Sequence, residues 1–293
     1  MKRDFCIGSE WLYYKIYTGV KTADIILLEK LYPIIQELKT EKRIQKWFFI
    51  RYKDPDEHIR LRFYSENLEN MPIIISRLYP ILNFLLQENT IWKVQTDTYQ
   101  RELERYGEQT ITESETLFYQ DSEMMLRYLS LKSSFLKKEM QLLFSFLAID
   151  RFLNSFSLTN ADRMKLMDEL QTFFKKEFDA DTNLKKAMSR QYQELSKDIT
   201  AFLSGTAQNE YPEIYATIEK RESQLNKLAP TIKNNLQISL SNFLMSHIHM
   251  MINRQYTSQQ RKYELIIYTH LYCYYKTIVY KQTSHVKNKF KID

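Results

Sequence analysis

Two arginines and a histidine stand at alternate positions in the stretch EHIRLRF, shortly after an apolar run that ends at Ile50. In an extended strand successive side chains point to opposite faces, so His58, Arg60 and Arg62 share one face and apolar residues take the other. Guanidinium groups two residues apart are close enough to bind one dianion, and they repel each other unless an anion lies between them. The spacing therefore predicts an anion-binding strand face beside the core.

A second candidate group lies on a predicted helix in the C-terminal part of the chain. In SNFLMSHIHMMINRQY, Ser246, His249 and Asn253 fall at i, i+3 and i+7 and share one helix face, whereas His247 points elsewhere. Imidazole is the side chain best suited to proton transfer near neutral pH, and hydrogen-bonding neighbours fix its tautomer. Taken alone, His249 fits both a structural role and a role as general base.

A third group is the pair Glu102 and Arg105, three residues apart in TYQRELERYGEQ. This spacing places both on one helical turn, where a surface ion pair contributes about 0.5 kcal/mol or less.

No metal site is expected, because the five histidines are scattered and neither an H-E-x-x-H motif nor a Cys/His cluster is present. The two cysteines, Cys6 and Cys273, lack C-x-x-C spacing and are expected to be reduced thiols.

Composition narrows the classes of function. The 293 residues are 44% hydrophobic and 14% aromatic, which is enough for a substantial core, and the net charge is +6. Four glycines are too few to build the phosphate-binding loops of dinucleotide or ATP folds. No stretch approaches the ~18 apolar residues of a membrane helix, so we expect a cytoplasmic protein without membrane contact. A nucleic-acid module is disfavoured, because the candidate arginines lie within apolar alternation rather than in an exposed basic stripe.

The elements that must position these side chains change character along the chain. Strands are predicted at residues 11–17, 46–52, 58–64 and 91–99, and helices at 22–39, 71–87, 160–178 and 241–256. Thr22 and Asn160 are the predicted caps of their helices. The polar stretch 203–213 is predicted to be a surface connection, with a flap over a cleft as the alternative.

The predicted fold class is α+β. We expect a mixed or antiparallel sheet in a sheet-rich part, residues 1–112, followed by a mostly helical part, residues 113–293. No repeat or low-complexity linker separates the two parts. Residues 1–293 are therefore interpreted as a single domain.

Taken together, the three groups resemble the motif set of one family. The chain is similar nearly end to end to the C-terminal, glutamate-eliminating domain of the lantibiotic dehydratases and to the related stand-alone thiopeptide-type bacteriocin biosynthesis proteins. The strings that carry the resemblance are, in order, WLYYKIY, WFFIRYKDPDEHIRLRF, TYQRELERYG, LFYQDSEMML and HMMINR. Two positions depart from the family pattern: Glu108 replaces a second glycine after Gly107, and Gln255 replaces a leucine after Arg254.

The resemblance implies β-elimination on a modified peptide. In the family, a peptide serine or threonine is first glutamylated by a separate large domain that uses glutamyl-tRNA. The domain resembled here then removes glutamate to leave dehydroalanine or dehydrobutyrine. The residues that match the catalytic motifs are Arg60, Arg62, Glu102, Arg105 and His249. Neighbouring positions assigned to substrate binding are Arg51, His58, Asn253 and Arg254.

The resemblance also implies a division of roles. The arginines would face the leaving glutamate and the developing enolate, because preorganised cations stabilise charge that appears in the transition state. His249 is the most suitable base, with Glu102 orienting Arg105 or sharing proton transfer.

The expected partners follow from the same resemblance. They are a ribosomally made precursor peptide carrying glutamylated Ser/Thr and a separate glutamylating subunit, since the chain has no room for that larger half. Direct tRNA binding and a cofactor are not expected, and a homodimer is left open.

Two alternative functions remain. The pyridine synthases of thiopeptide assembly share the fold and join two dehydroalanines by a formal cycloaddition, so they have no leaving glutamate to hold. A non-catalytic subunit would only bind leader peptide. The complete set of three arginines with Glu102 and His249 favours elimination.

Overall fold

The computed structural model describes residues 1–289, and for residues 284–289 it describes the backbone alone. Two compact units are present: unit 1 comprises residues 1–134 and 231–258, and unit 2 comprises residues 135–230 and the chain from 259 onward. All described strands belong to unit 1, and unit 2 is helical in its described part. The predicted α+β class is confirmed, with antiparallel sheets in the N-terminal part and helices dominating the C-terminal half.

Unit 1 is built on antiparallel strands. These are β1 (Asp4–Phe5), β2 (Trp11–Tyr17), β3 (Lys46–Lys53), β4 (Glu57–Tyr64), β5 (Lys93–Thr96) and β6 (Tyr99–Gln100). The main sheet has the order β3-β4-β2-β5, and β1 pairs separately with β6. The first three predicted strands are confirmed to within one residue at each end. The predicted strand 91–99 is wrong as a single element, because it is interrupted and contributes to both sheets.

The register places the cationic row in the interior of the main sheet. In β4, Arg62 lies directly opposite Tyr13 of β2 and Phe48 of β3. Directly opposed residues share one sheet face, so aromatic rings flank this arginine on both sides. The other face of β4 is fully buried core: Ile59, Leu61 and Phe63. The predicted alternation along β4 is thus confirmed.

Eleven α-helices occur in the described chain. They are α1 (Val20–Ile25), α2 (Tyr32–Thr40), α3 (Asn70–Gln87), α4 (Leu103–Tyr106), α5 (Ile111–Leu131), α6 (Met140–Ser155), α7 (Asn160–Glu177), α8 (Thr182–Ser204), α9 (Pro212–Asn235), α10 (Leu240–Gln255) and α11 (Gln260–Lys289). A π-helical segment, Ile26–Leu31, joins α1 to α2, and a 3-10 turn, Lys132–Ser134, follows α5. In unit 1, α5 and α10 both pack on β3, and α4 packs on both of these helices.

Both predicted helix caps were wrong. The first helix begins earlier than predicted, because the extended Gly19 accepts hydrogen bonds on its carbonyl from the backbone of Thr22 and Ala23. In unit 2, Thr159 rather than Asn160 caps α7, through a capping box with Asp162.

Unit 2 consists of α6, α7, α8, α11 and most of α9. Helices α7 and α11 pack along each other. Asp150 lies in the interior of the unit, where it accepts hydrogen bonds from Arg163 at 2.9 Å and from the hydroxyl of Tyr275 at 2.8 Å. The predicted connection in residues 203–213 is confirmed as the turn between α8 and α9, beginning at the left-handed Gly205. None of the helices within residues 1–289 has the length and hydropathy of a membrane span.

Candidate functional site

A cavity of about 260 Å³ lies in unit 1, between β3 and β4 on one side and α4, α5 and α10 on the other. Small-molecule sites usually measure about 300–1,000 Å³, so this one suits a group of amino-acid size rather than a dinucleotide. Eight of the nine predicted site residues line it: Arg51, Arg60, Arg62, Glu102, Arg105, His249, Asn253 and Arg254. The fold therefore brings together three groups that are far apart in sequence.

The cavity carries an excess of positive charge, because its lining holds five arginines and one carboxylate. Three of the arginines have acidic partners: Arg51 with Asp24, Arg105 with Glu102 at 3.3 Å, and Arg254 with Asp121 at 3.8 Å. For Arg60 and Arg62, no carboxylate of the described chain lies within ion-pair distance. The uncompensated charge therefore lies on β4.

Arg62 is held by aromatic rings rather than by acceptors. Its guanidinium carbon lies 4.2, 4.9 and 5.2 Å from the ring centroids of Tyr13, Tyr99 and Phe48, and the residue is only 7% exposed. Burial lowers the pKa of Arg62, although a guanidinium stays charged at any physiological pH. Its Nε is buried without a hydrogen-bond partner in the described chain. Rings attract the cation but accept few of its hydrogens, so Arg62 is equipped to bind an anion.

Arg60 is held differently. Its guanidinium lies 3.4 Å from the ring centroid of Tyr52, and its Nε donates to Nε2 of His58 at 3.1 Å. Nδ1 of His58 lies 2.8 Å from the carbonyl oxygen of Asp56. Because arginine can only donate and a carbonyl can only accept, His58 is neutral with its proton on Nδ1. The structure does not bring His58 to the cavity wall; this residue lies behind Arg60.

Glu102 and Arg105 lie on the rim. They form the predicted i,i+3 ion pair, with side chains 58% and 56% exposed. Glu102 is the residue that precedes α4, and this short helix ends at Gly107. Gly107 has φ of +75°, and a Cβ there would lie 2.7 Å from Oγ1 of Thr110, so the turn requires glycine.

Helix α10 supplies the half-buried His249 to the cavity and the buried His247 to the core. His247 packs against the rings of Tyr106, Phe118 and Phe243, as its predicted orientation away from His249 requires. Ser246 is half-buried and is not among the lining residues.

Asn253 connects α10 to the edge strand β3. Its Oδ1 accepts from the backbone N–H of Arg51 at 2.9 Å, and its Nδ2 donates to the carbonyl of Arg51 at 2.8 Å. Asn253 therefore pairs with β3 much as a neighbouring strand would, in addition to lining the cavity.

Arg51 and Arg254 reinforce this connection from within. Nε of Arg51 donates to the carbonyl of Arg254 at 3.0 Å, and Nε of Arg254 donates to the carbonyl of Phe49 at 2.9 Å. Burial lowers the pKa of both guanidinium groups. Their contacts are structural, and a role for either in substrate binding stays a prediction.

Several cavity residues were not predicted from the sequence, chiefly the rings around the arginines. Tyr99 is the most firmly fixed: its hydroxyl donates to Glu115 at 3.0 Å, and Glu115 forms a two-pronged ion pair with Arg101, with both contacts at 2.7 Å. Burial raises the pKa of Tyr99 well above its usual value. Alternation along residues 11–17 was the available signal for Tyr13, but only the strand register shows that it faces Arg62.

Among the described residues, no cluster of three or more histidine, cysteine or acidic side chains is arranged to hold a metal ion. Cys6 is exposed and Cys273 is partly buried, and neither forms a disulfide within the described chain.

The chain belongs to the family described as the C-terminal domain of lantibiotic biosynthesis dehydratases, whose model matches residues 11–275.

Three relatives with described roles are similar in sequence. The subtilin biosynthesis protein SpaB of Bacillus subtilis is 28% identical over 60% of this chain, and the epidermin biosynthesis protein EpiB of Staphylococcus epidermidis is 24% identical over 88%. The nisin biosynthesis protein NisB of Lactococcus lactis subsp. lactis is 32% identical over 42%. These matches cover 17%, 25% and 12% of the relatives' own lengths, so the chain corresponds to a minor part of each.

Solved structures share the fold. The tRNA-dependent lantibiotic dehydratase MibB from Microbispora sp. 107891 superposes with a TM-score of 0.71 at 18% identity, over 92% of this chain and 28% of that one. The pyridine synthase TbtD from thiomuracin biosynthesis gives 0.68 at 10% identity, over 92% of this chain and 100% of that one. TsrL gives 0.64 at 12% identity, over 91% and 95% of the two chains.

Proposed function

We propose that this chain is a glutamate-elimination enzyme. It would act on a ribosomally made precursor peptide whose serine or threonine hydroxyls have been glutamylated by a separate subunit, and would leave dehydroalanine or dehydrobutyrine. Family membership supports the peptide-dehydration context, and the cavity supports the elimination step.

One observation carries the proposal: Arg60 and Arg62 face a cavity of amino-acid size, and neither has a carboxylate partner in the described chain. Two buried or half-buried cations without counter-ions are costly unless a ligand supplies the negative charge. A carboxylate that departs during the reaction is such a ligand, and a guanidinium can bind it in a two-pronged manner.

The reaction assigns a task to each group. A base removes the proton from the α-carbon of the modified residue, a double bond forms between the α- and β-carbons, and the β-carbon–oxygen bond breaks. Its electron pair leaves on the glutamate carboxylate. Negative charge develops on the adjacent amide oxygen and on the departing carboxylate, where Arg60, Arg62 and Arg105 can stabilise it.

His249 is the proposed base, because it is the one histidine on the cavity wall and imidazole accepts protons near neutral pH. Glu102 pairs with Arg105 at the rim and is the alternative proton acceptor. Both residues border the same cavity as the unpaired arginines.

A synthetic peptide bearing glutamylated serine tests the proposal directly. Incubated with this protein alone, without tRNA, ATP or added metal, it should lose glutamate and yield a dehydroalanine peptide, detected by mass spectrometry. If the peptide keeps its glutamate in the presence of the intact, folded protein, the proposal is contradicted. A strict requirement for tRNA, ATP or added metal would also contradict it.

The second candidate is a pyridine synthase, because the chain covers 100% of TbtD in superposition. That reaction joins two dehydroalanines and has no glutamate to bind, so it does not account for Arg60 and Arg62. Offering a peptide with two preformed dehydroalanines distinguishes the two functions: a pyridine product would favour the synthase.

A further inference from the structure

His58 is a predicted site residue that the cavity does not reach, and its contacts indicate what it does instead. It is 3% exposed and lies between the rings of Tyr17 and Tyr52, with centroid distances of 4.7 and 5.6 Å. Its Nδ1 donates to the carbonyl of Asp56, which leaves Nε2 as an acceptor for Nε of Arg60. These contacts therefore fix both the tautomer of His58 and the plane of its imidazole ring.

This contact decides how Arg60 is presented. A guanidinium has five hydrogens, one of them on Nε. His58 accepts the hydrogen of Nε, and the ring of Tyr52 covers one face of the guanidinium. The two terminal nitrogens of Arg60 are therefore left to donate into the cavity. His58 is the only hydrogen-bond acceptor of the Arg60 guanidinium in the described chain.

We propose that His58 is a positioning residue, which orients Arg60 for elimination only while its imidazole is neutral. Protonation would put a hydrogen on Nε2 directly against the Nε hydrogen of Arg60, so two donors and two positive charges would face each other. Arg60 would then leave its orientation. The inference rests on the proposed function for its effect on rate, but the contact itself does not depend on any activity.

The surroundings of His58 favour the neutral form at ordinary pH. Besides Arg60, the charged or titratable groups around it are Lys15, Tyr17, Arg51, Tyr52, Asp54 and Glu57. Burial, together with the cations Arg60 and Lys15, lowers the pKa of His58 below 6.5, while the hydrogen bond to Asp56 and the charge of Asp54 act in the opposite direction. The positioning contact is therefore complete at neutral pH and is lost as the pH falls through this lowered value.

Nitrogen NMR of the labelled, full-length protein tests the contact without substrate. At neutral pH, His58 should carry its proton on Nδ1 and titrate with a midpoint below 6.5. In Arg60→Ala the midpoint should rise, because a neighbouring cation has gone. A proton on Nε2 at neutral pH, or a midpoint unaffected by Arg60→Ala, would overturn the inference.

Kinetics of glutamate elimination test the consequence. His58→Leu, which removes the acceptor, should slow elimination at least tenfold, whereas His58→Gln, whose carbonyl can accept from Arg60, should retain most of the rate. Protonation of His58 should add one ionisation to the acid limb of the parent in a plot of log kcat/KM against pH, so the limiting slope of the parent should exceed that of His58→Gln by about one. Lys53→Ala, an exposed change in the neighbouring hairpin strand, should leave rate and profile unchanged.

Failure of the proposed function and failure of the positioning role give different experimental results. If the parent protein eliminates no glutamate while NMR shows the predicted tautomer and its response to Arg60→Ala, the proposed function is wrong and the His58–Arg60 contact stands. If the parent is active and His58→Leu keeps the parental rate, the positioning role is wrong.

Discussion

At the residue scale, the two cavity arginines of β4 illustrate two ways of holding an unpaired cation. Arg60 has one acceptor and one ring, whereas Arg62 has three rings and no hydrogen-bond acceptor in the described chain. Ring faces attract a guanidinium while leaving most of its hydrogens unused. Arg62 is therefore the residue whose contribution should depend most on the planar shape of arginine.

The first prediction compares two substitutions of Arg62. Arg62→Ala should slow elimination about 10²–10³-fold, equivalent to about 3–4 kcal/mol of transition-state stabilisation. Arg62→Lys should recover little of this, because an ammonium lacks the two-pronged donor geometry that suits a carboxylate. With a glutamylating partner present, mass spectrometry should show glutamylated peptide accumulating.

Lys93→Ala is the matched control, because Lys93 is an exposed cation of the same sheet that does not line the cavity. It should eliminate glutamate at the parental rate. Full activity in Arg62→Lys would show that charge alone is sufficient at this position.

The second prediction concerns Glu102. Its ion pair with Arg105 is more than half exposed on both sides, so Glu102→Gln should change the free energy of unfolding by less than about 1 kcal/mol. If Glu102 orients Arg105 or accepts a proton, the same variant should eliminate glutamate at least tenfold more slowly. Denaturant unfolding and the elimination assay together separate the two roles, and unchanged activity would leave Glu102 as a surface ion pair only.

At the element scale, the amide side chain of Asn253 holds α10 against β3 together with the hydrogen bonds of Arg51 and Arg254. Asn253→Ala removes both hydrogen bonds to the backbone of Arg51, so it should lower the free energy of unfolding by about 1–3 kcal/mol. Elimination should also slow, because α10 carries His249. Asn242→Ala, an exposed change in the first turn of the same helix, should stay within about 0.5 kcal/mol of the parent. An Asn253→Ala protein as stable as this control would show that the helix is held by other contacts.

In unit 2, α11 carries a histidine that should make the free energy of unfolding depend on pH. His270 is fully buried, donates from Nδ1 to the carbonyl of Ile266, and stacks on Phe146. Burial lowers its pKa from 6.5 to about 4, so between these values the unfolded chain binds a proton that the native protein does not. Stability should therefore fall as the pH drops from 6.5 towards 4, by up to about 3 kcal/mol.

His270→Phe should remove this part of the acid sensitivity. Denaturant midpoints of parent and variant, compared at pH 7 and pH 4.5, give the difference that belongs to His270, since His58 contributes equally to both proteins. A variant that loses as much stability as the parent over this interval would contradict the assignment.

At the scale of the whole molecule, the sequence reveals local secondary structure better than it reveals which distant residues come into contact. Runs of apolar, aromatic and β-branched residues located β2, β3 and β4 to within a residue, because these strands are largely buried along their length. The cap at Gly19 was missed because it acts through its backbone carbonyl, which no side-chain pattern records. The candidate residues that line the cavity were named by resemblance. Their convergence, and the position of His58 behind Arg60, were not readable from the sequence, because the register that buries His58 between Tyr17 and Tyr52 is a tertiary property.

Unit 1 is discontinuous, and this gives the protein a fixed order of assembly during synthesis. The arginines of β4 emerge from the ribosome early, but α10, with His249 and Asn253, follows only after residues 135–230 have been made. At about 5–20 residues per second that interval lasts about 5–20 seconds. Throughout it the edge of β3 near Arg51 lacks its amide partner, so the nascent chain displays an open strand edge. Chaperone binding to stalled nascent chains should accordingly be strongest in this interval and should end once residue 258 has emerged.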